Sequence, residues 1–289
     1  MGRKKKLARL DELPGALRVG TGPGSFDLSG MDRAATPGVK DAADAGDLRT
    51  SLGEELADLQ ERLFAEGRTG GTRSVLLVVQ GLDTAGKGGI VRHVAGMLDP
   101  QGLAIRSFGV PTAEERSHDF LWRIRRALPA PGRIGVFDRS HYEDVLVARV
   151  KHLVAPDVWE ARYDEIVAFE RELVAAGTTI VKVALMISRD EQYDRLAARL
   201  ERPDKQWKYN PGDVDTRLLW DDYQDAYQAV LDRTSIPEAP WYVVPADSKD
   251  YARLAVTKLL LDALRSLDLG WPEVDYDVEV EKRRLAATR

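Results

Sequence analysis

Three segments carry residue types and spacings that could do chemistry. The first is Gly81-Leu-Asp83-Thr-Ala-Gly86-Lys87-Gly88-Gly89. It has the G-x-x-x-x-G-K form of a phosphate-binding loop and lies between an apolar run and a helical pattern, where such a loop must sit. Glycines let the backbone approach phosphate oxygens without hindrance. The N-terminus of the following helix supplies amide donors and a positive dipole end. Lys87 adds a full charge for the outer phosphates. Without that context the segment reads as a glycine-rich turn with a surface lysine. Most such loops follow the lysine with a Ser or Thr that ligates Mg²⁺, but here the position is Gly88. Asp83 can supply the missing oxygen, because Mg²⁺ favours carboxylates and water. Taken alone, Asp83 is a turn residue bonding its own backbone.

The second segment is Arg133-Ile-Gly-Val-Phe-Asp138-Arg139-Ser140-His141-Tyr142-Glu143-Asp144. An apolar strand ending in Asp138 places a carboxylate where Mg²⁺ is met directly or through water. Ligands of open parallel sheets bind outside the carboxyl ends of the strands. Asp83 and Asp138 are therefore expected to share one edge and one metal site. Arg139 suits phosphate oxygens, with a salt bridge to Glu143 or Asp144 as its competitor. His141 and Tyr142 read as packing residues or as supports behind the site rather than as catalysts.

The third segment, Arg199-Leu-Glu-Arg202-Pro-Asp-Lys205-Gln-Trp207-Lys208-Tyr209-Asn-Pro211, interrupts two good helical patterns with clustered cations. As a lid over about 199–215 it would bring Arg199, Lys205 and Lys208 onto transferring phosphate, with Trp207 and Tyr209 as apolar anchors. The competing reading is a solvated loop.

The elements that must position these residues follow from periodicity. Short apolar runs at 75–79, 105–110, 134–137, 180–187 and 241–244 read as strands, and helical patterns separate them. Capping boxes are expected at Ser51/Glu54 and Thr112/Glu115, and Ser188/Glu191 caps a further helix. Strands joined by helices imply right-handed crossovers and a mainly parallel sheet covered on both faces. The predicted fold is thus a three-layer α/β/α domain over 50–270, with a five-stranded, mainly parallel sheet and a helical lid. Residues 1–49, rich in Gly, Pro, Asp and Ala, read as an extended arm whose basic run at 4–6 is a solvated tail. Residues 271–289 form a C-terminal tail.

Composition narrows the function. The 289 residues carry 42 Lys and Arg against 47 Asp and Glu, a net charge of −5 that argues against general nucleic-acid binding. The absence of cysteine excludes disulfides, thiolate zinc sites and a cysteine nucleophile. No apolar run approaches the roughly 18 residues that span a bilayer. With no secretory signal visible, a cytoplasmic location is expected.

Taken together, QGLDTAGKGG, HDFLWR (118–123), FDRSHYEDVLVARV, RLERPDKQWKYNPGD and WDDYQDAY resemble the polyphosphate kinase type 2 family, most like its class III members. The resemblance covers most of the chain, from about Phe26 to the last long helix. It implies a P-loop kinase core and transfer of a phosphoryl group between inorganic polyphosphate and nucleoside mono- or diphosphates, with Mg²⁺ or Mn²⁺ in its place. It makes Asp83 and Asp138 the metal and catalytic pair. Lys87, Arg139 and Arg199 become catalytic cations, with Gly81, Gly86, Gly88, Gly89, Lys205 and Lys208 on phosphate. The implied polyanion makes Arg133, with Arg92, Arg123, Arg126 and Lys151, a phosphate-binding candidate for holding the rest of the donor. It also implies a homo-oligomer, a dimer or tetramer. An ATP-dependent nucleoside or nucleotide kinase on the same core is the alternative.

Overall fold

The computed structural model describes residues 9–289; the basic run at 4–6 lies outside the described residues. The chain forms, in order, α1 (Leu13–Leu17), α2 (Ala45–Arg68), β1 (Ser74–Gly81), α3 (Lys87–His93), β2 (Leu103–Ser107), α4 (Ala113–Arg116), α5 (Trp122–Arg125), β3 (Ile134–Asp138), α6 (Glu143–Val150), α7 (Pro156–Ala175), β4 (Thr178–Met186), α8 (Arg189–Glu201), α9 (Gly212–Leu218), α10 (Trp220–Thr234), β5 (Trp241–Pro245), α11 (Lys249–Arg265) and α12 (Val278–Ala286).

The five strands pair in the order β2-β3-β1-β4-β5, all parallel. The central strand β1 is buried along its whole length. Its unbroken apolar run follows from helices covering both faces of the sheet. α2, α3 and α11 pack together, and α6, α7 and α10 form a second group. The chain leaves β1 for β2 on one side and later returns to β4 on the other. This is a topological switch point, and its crevice opens at the carboxyl ends of the strands. Register sets Val79 of β1 beside Asp138 of β3, so the turn holding Asp83 and the turn after Asp138 share one edge.

Three expectations need correction. The Ser51/Glu54 box does not exist, because α2 already starts at Ala45. Nothing between them breaks a helix, and Leu48, Leu52 and Leu56 continue one buried stripe, so Ser51 sits inside the helix and donates to Leu48 O at 2.7 Å. The helical pattern expected to follow the Thr112/Glu115 cap, between the second and third strands, is two short helices, α4 and α5. The Thr112/Glu115 capping box and the Ser188 cap are present. The described part of the arm is irregular but packed. Leu10, Leu13, Leu17, Val19 and Leu28 are buried, and Val19 N donates to Trp241 O at 2.9 Å beside β5. A segment laid along an edge strand in this way shields its unpaired backbone groups.

Candidate active site

The loop after β1 is shaped by backbone that only some residues tolerate. Gly86 has φ +115, a left-handed conformation that costs glycine least, and it opens α3. A side chain at Gly81 would meet Leu185 O at 2.8 Å. Thr84 (φ +66) and Arg139 (φ +63) adopt positive φ without being glycine. Such strain is stored where a site over-determines the backbone. At Gly88 a Cβ would meet nothing within 4 Å, so that position faces open space rather than protein.

A cleft of about 870 Å³ lies over this loop. Asp83, Gly86, Lys87, Gly88 and Gly89 line its floor, and Asp138 and Arg139 enter from the end of β3. Arg199, Arg202, Lys205 and Lys208 reach it from α8 and the segment that follows. Ten Lys and Arg against four Asp and Glu line the cleft. An acidic chain therefore presents a cationic cavity, the reverse of what its net charge advertises.

Lys87 is buried and donates to Gly81 O at 2.6 Å and Leu82 O at 3.1 Å. Burial pulls its ammonium below the ordinary lysine range, with Asp83 the strongest influence favouring the charge. Arg139 donates to Asp83 Oδ1 at 3.0 Å. That pairing, rather than the competing one with Glu143 or Asp144, is its ion pair here. Burial works to lower the Arg139 pKa, but Glu143, Asp83 and Asp138 outweigh it and hold the guanidinium above its usual range. Glu143 in turn is raised by burial, against Arg139 and Lys87. Tyr223 on α10 is pushed up to about 12 by burial and by the charges of Glu143 and Asp83.

On the lid side, Arg199 donates to Asp213 Oδ2 at 3.1 Å and Lys208 O at 3.2 Å. Lys205 pairs with exposed Asp204 at 2.9 Å, and Arg202 with the same carboxylate at 3.0 Å. Lys208 lies over the Trp207 ring at 4.9 Å. Trp207 is 78% exposed and so is not the apolar anchor the sequence suggested. Its contacts are with its own segment: Nε1 donates to Asp204 O at 3.1 Å.

Eleven of the twelve expected site residues gather at this cleft, Gly81 through the carbonyl that holds Lys87. Arg133 does not. It is exposed and precedes β3, so it stands at the amino edge of the sheet, about 17 Å of strand away from Asp138. Of the other polyanion candidates, Arg92 lines the cleft, while Arg123 and Arg126 line a separate hollow of about 370 Å³ beside β2. Lys151 is exposed beyond α6 and lines neither.

Sequence reasoning missed three features. Lys249 and Arg253, one turn apart at the start of α11, form a wall of the cleft with Arg92. Their position just after the carboxyl end of β5 was the available signal. Arg195, one turn before Arg199, donates to Thr84 O (2.9 Å), Ala246 O (2.7 Å) and Asp247 O (2.8 Å). It thereby ties the base of α8 to the phosphate loop. Beneath the site, Lys182 donates to Glu170 Oε2 (2.5 Å), Tyr142 OH (3.1 Å) and Thr234 O (2.7 Å), with Lys182 fully buried. This buried pair underlies the turn that presents Arg139, and Tyr142 OH (2.7 Å) and His141 Nε2 (3.4 Å) meet Glu170 Oε1 within the same buried network.

Among the described residues no group of three or more His, Cys, Asp or Glu could hold a metal ion. Two carboxylates at a cationic cleft still fit Mg²⁺, which is commonly bound by one or two carboxylates together with substrate phosphates and water.

A parallel sheet with a glycine loop at its switch point and paired carboxylates at the same edge defines a P-loop phosphotransferase-like fold. The sequence profile of the Polyphosphate kinase 2 (PPK2) family matches residues 40–269, and the chain belongs to that family. It is 43% identical to an AMP/ADP-polyphosphate phosphotransferase of Meiothermus ruber, over 86% of this chain and 92% of that protein. It is 45% identical to an ADP-polyphosphate phosphotransferase of Rhodopseudomonas palustris, over 78% and 81%. The crystal structure of polyphosphate kinase 2 from Arthrobacter aurescens TC1 superposes with a TM-score of 0.92 at 52% identity, covering 96% of this chain and 97% of that one.

Proposed function

We propose that the chain is a polyphosphate-dependent kinase that transfers a phosphoryl group between inorganic polyphosphate and nucleoside mono- or diphosphates. The observation that carries this reading is the single cleft in which Lys87, Arg139 and the lid cations converge beside Asp83 and Asp138. The names of the related phosphotransferases support it.

In this reading the terminal phosphates lie on the loop amides and the rest of the donor runs along Arg92, Lys249 and Arg253. An oxygen of the acceptor phosphate attacks the terminal phosphorus in line. The bond to the bridging oxygen breaks, and a polyphosphate one unit shorter leaves. Lys87, Arg139 and Arg199 stabilise the charge of the transferring group. To do so, Lys87 leaves the carbonyls of Gly81 and Leu82, and Arg199 leaves Asp213. Asp83 positions the acceptor, which is already ionised near neutral pH. Asp83 and Asp138 would hold Mg²⁺, with Mn²⁺ as its substitute, and the metal would draw off charge from the reacting phosphates.

The test is transfer to AMP and to ADP from polyphosphate with Mg²⁺, with nucleotide products separated by chromatography. ADP and ATP should form only when polyphosphate is present. Phosphorylation of nucleosides or nucleotides from ATP, with polyphosphate unused, would favour the ATP-dependent kinase instead.

A further inference from the structure

Among the described residues, the segment from 271 to 289 is a long stretch that the body leaves largely uncovered. Its root is held: Arg62 lies over the Trp271 ring at 5.7 Å and donates to Leu269 O at 3.2 Å. Beyond that point α12 buries no residue. Asp277 caps it, and Lys282–Glu279 (2.7 Å) and Arg284–Glu281 (2.6 Å) brace it. Nine residues are nonetheless fewer than the ~12–15 at which an isolated helix becomes even marginally stable in water.

The same segment concentrates apolar surface. Of fifteen exposed large apolar side chains among the described residues, six lie here: Trp271, Val274, Tyr276, Val278, Val280 and Leu285. Val278 and Leu285, seven residues apart, share one helix face. Exposed apolar side chains clustered in one stretch point to a covering partner.

Charge order identifies that partner. Glu273, Asp275, Asp277, Glu279 and Glu281 all precede Lys282, Arg283, Arg284 and Arg289, with no cation before 282 and no acid after 281 in this segment. The helix dipole favours such an order within α12 itself. It does not account for Glu273 and Asp275, which stand outside the helix. Laid antiparallel on an identical segment, the acidic half faces the basic half at both ends. Laid parallel, like charges would face each other.

We propose that residues 271–289 form a two-fold symmetric, antiparallel contact with the same segment of a second copy of this chain, burying the apolar side chains and pairing opposite charges. This inference does not depend on the phosphotransferase reading, since none of these residues lines the catalytic cleft.

The experiment measures the molar mass of the full chain by light scattering and sedimentation, with E279K/E281K and K282E/R283E/R284E as variants. The wild type should be oligomeric. Each variant alone should fall to a smaller species with at least tenfold weaker association, at unchanged specific activity below the dissociation range. Mixing the two variants, one helix now cationic and the other anionic, should restore the larger species. A monomeric wild type overturns the proposal, as do variants that associate as the wild type does. Variants that dissociate but fail to recombine on mixing also overturn it, since the charges would then serve only the helix that carries them.

Discussion

The phosphate loop and the lid both send cations into one cleft, but they hold them differently. Lys87 is buried on two carbonyls of its own loop, and Arg139 is held by Asp83 in a backbone conformation that costs energy. Arg202 and Lys205 share one exposed carboxylate, and Lys208 lies on an exposed tryptophan. Burial holds Lys87, and the ends of β1 and β3 set its spacing from Arg139 before any ligand arrives, although Arg139 is itself 39% exposed and both must exchange their present partners for phosphate. The lid's cations have partners that water replaces at little cost, because exposed ion pairs contribute little. Arg199 stands between the two: it is half-buried and paired with Asp213. A preformed floor and a releasable roof suit a reaction that must admit a long polyanion and then exclude water.

The strongest way to break this comparison is at the floor. Asp138→Asn removes charge with little change in volume and should abolish transfer while leaving the melting temperature intact. A wild-type rate at limiting Mg²⁺ would refute the metal assignment. Next is Arg199→Ala, expected to lower kcat by about 10³-fold, by analogy with arginine fingers, with little change in KM for polyphosphate. The foundation can be tested through stability: Lys182→Met leaves Glu170 buried without its cation and should cost about 3–5 kcal/mol in denaturant unfolding. Lys205→Ala and Lys208→Ala should each raise KM for polyphosphate about tenfold or less, in line with one charge-assisted bond, and should weaken its salt dependence. If kcat and KM stay unchanged in all three lid variants, the segment is a solvated loop. The smallest effects are expected at Arg133→Ala, which should leave kinetics unchanged, and Trp207→Ala, which should alter stability by no more than about 0.5 kcal/mol.

The difference between floor and roof also explains what could be read from the sequence. The five strands were legible because buried parallel strands must be continuously apolar, and the loop because phosphate binding demands glycines and a lysine at fixed spacing. Asp83 and Asp138 could be placed on one edge because parallel strands put all their carboxyl ends together. Position along a strand was where the reading failed: Arg133 stands just before β3 and Asp138 ends it, and a motif read as continuous text does not show that the two lie at opposite edges. Trp207 was misassigned because an aromatic within a charged loop carries no signal of which surface it meets. Lys249 and Arg253 were passed over because cations at the start of a helix look like ordinary solvated residues until the sheet order brings that helix to the cleft. The buried Lys182–Glu170 pair was hidden for a similar reason, since its partners come from β4 and α7 and share no local pattern.

Arg195 has a consequence for anyone who would exchange lids between related enzymes. Its three bonds, to the carbonyls of Thr84, Ala246 and Asp247, make the first turns of α8 mechanically part of the chassis. Any closing movement of the stretch beyond it would therefore swing about a point tied to the phosphate loop through Thr84 O. A graft that begins at the start of α8 would replace the bearing along with the door. One that begins after Arg195 would carry over a new roof and keep the alignment of the floor.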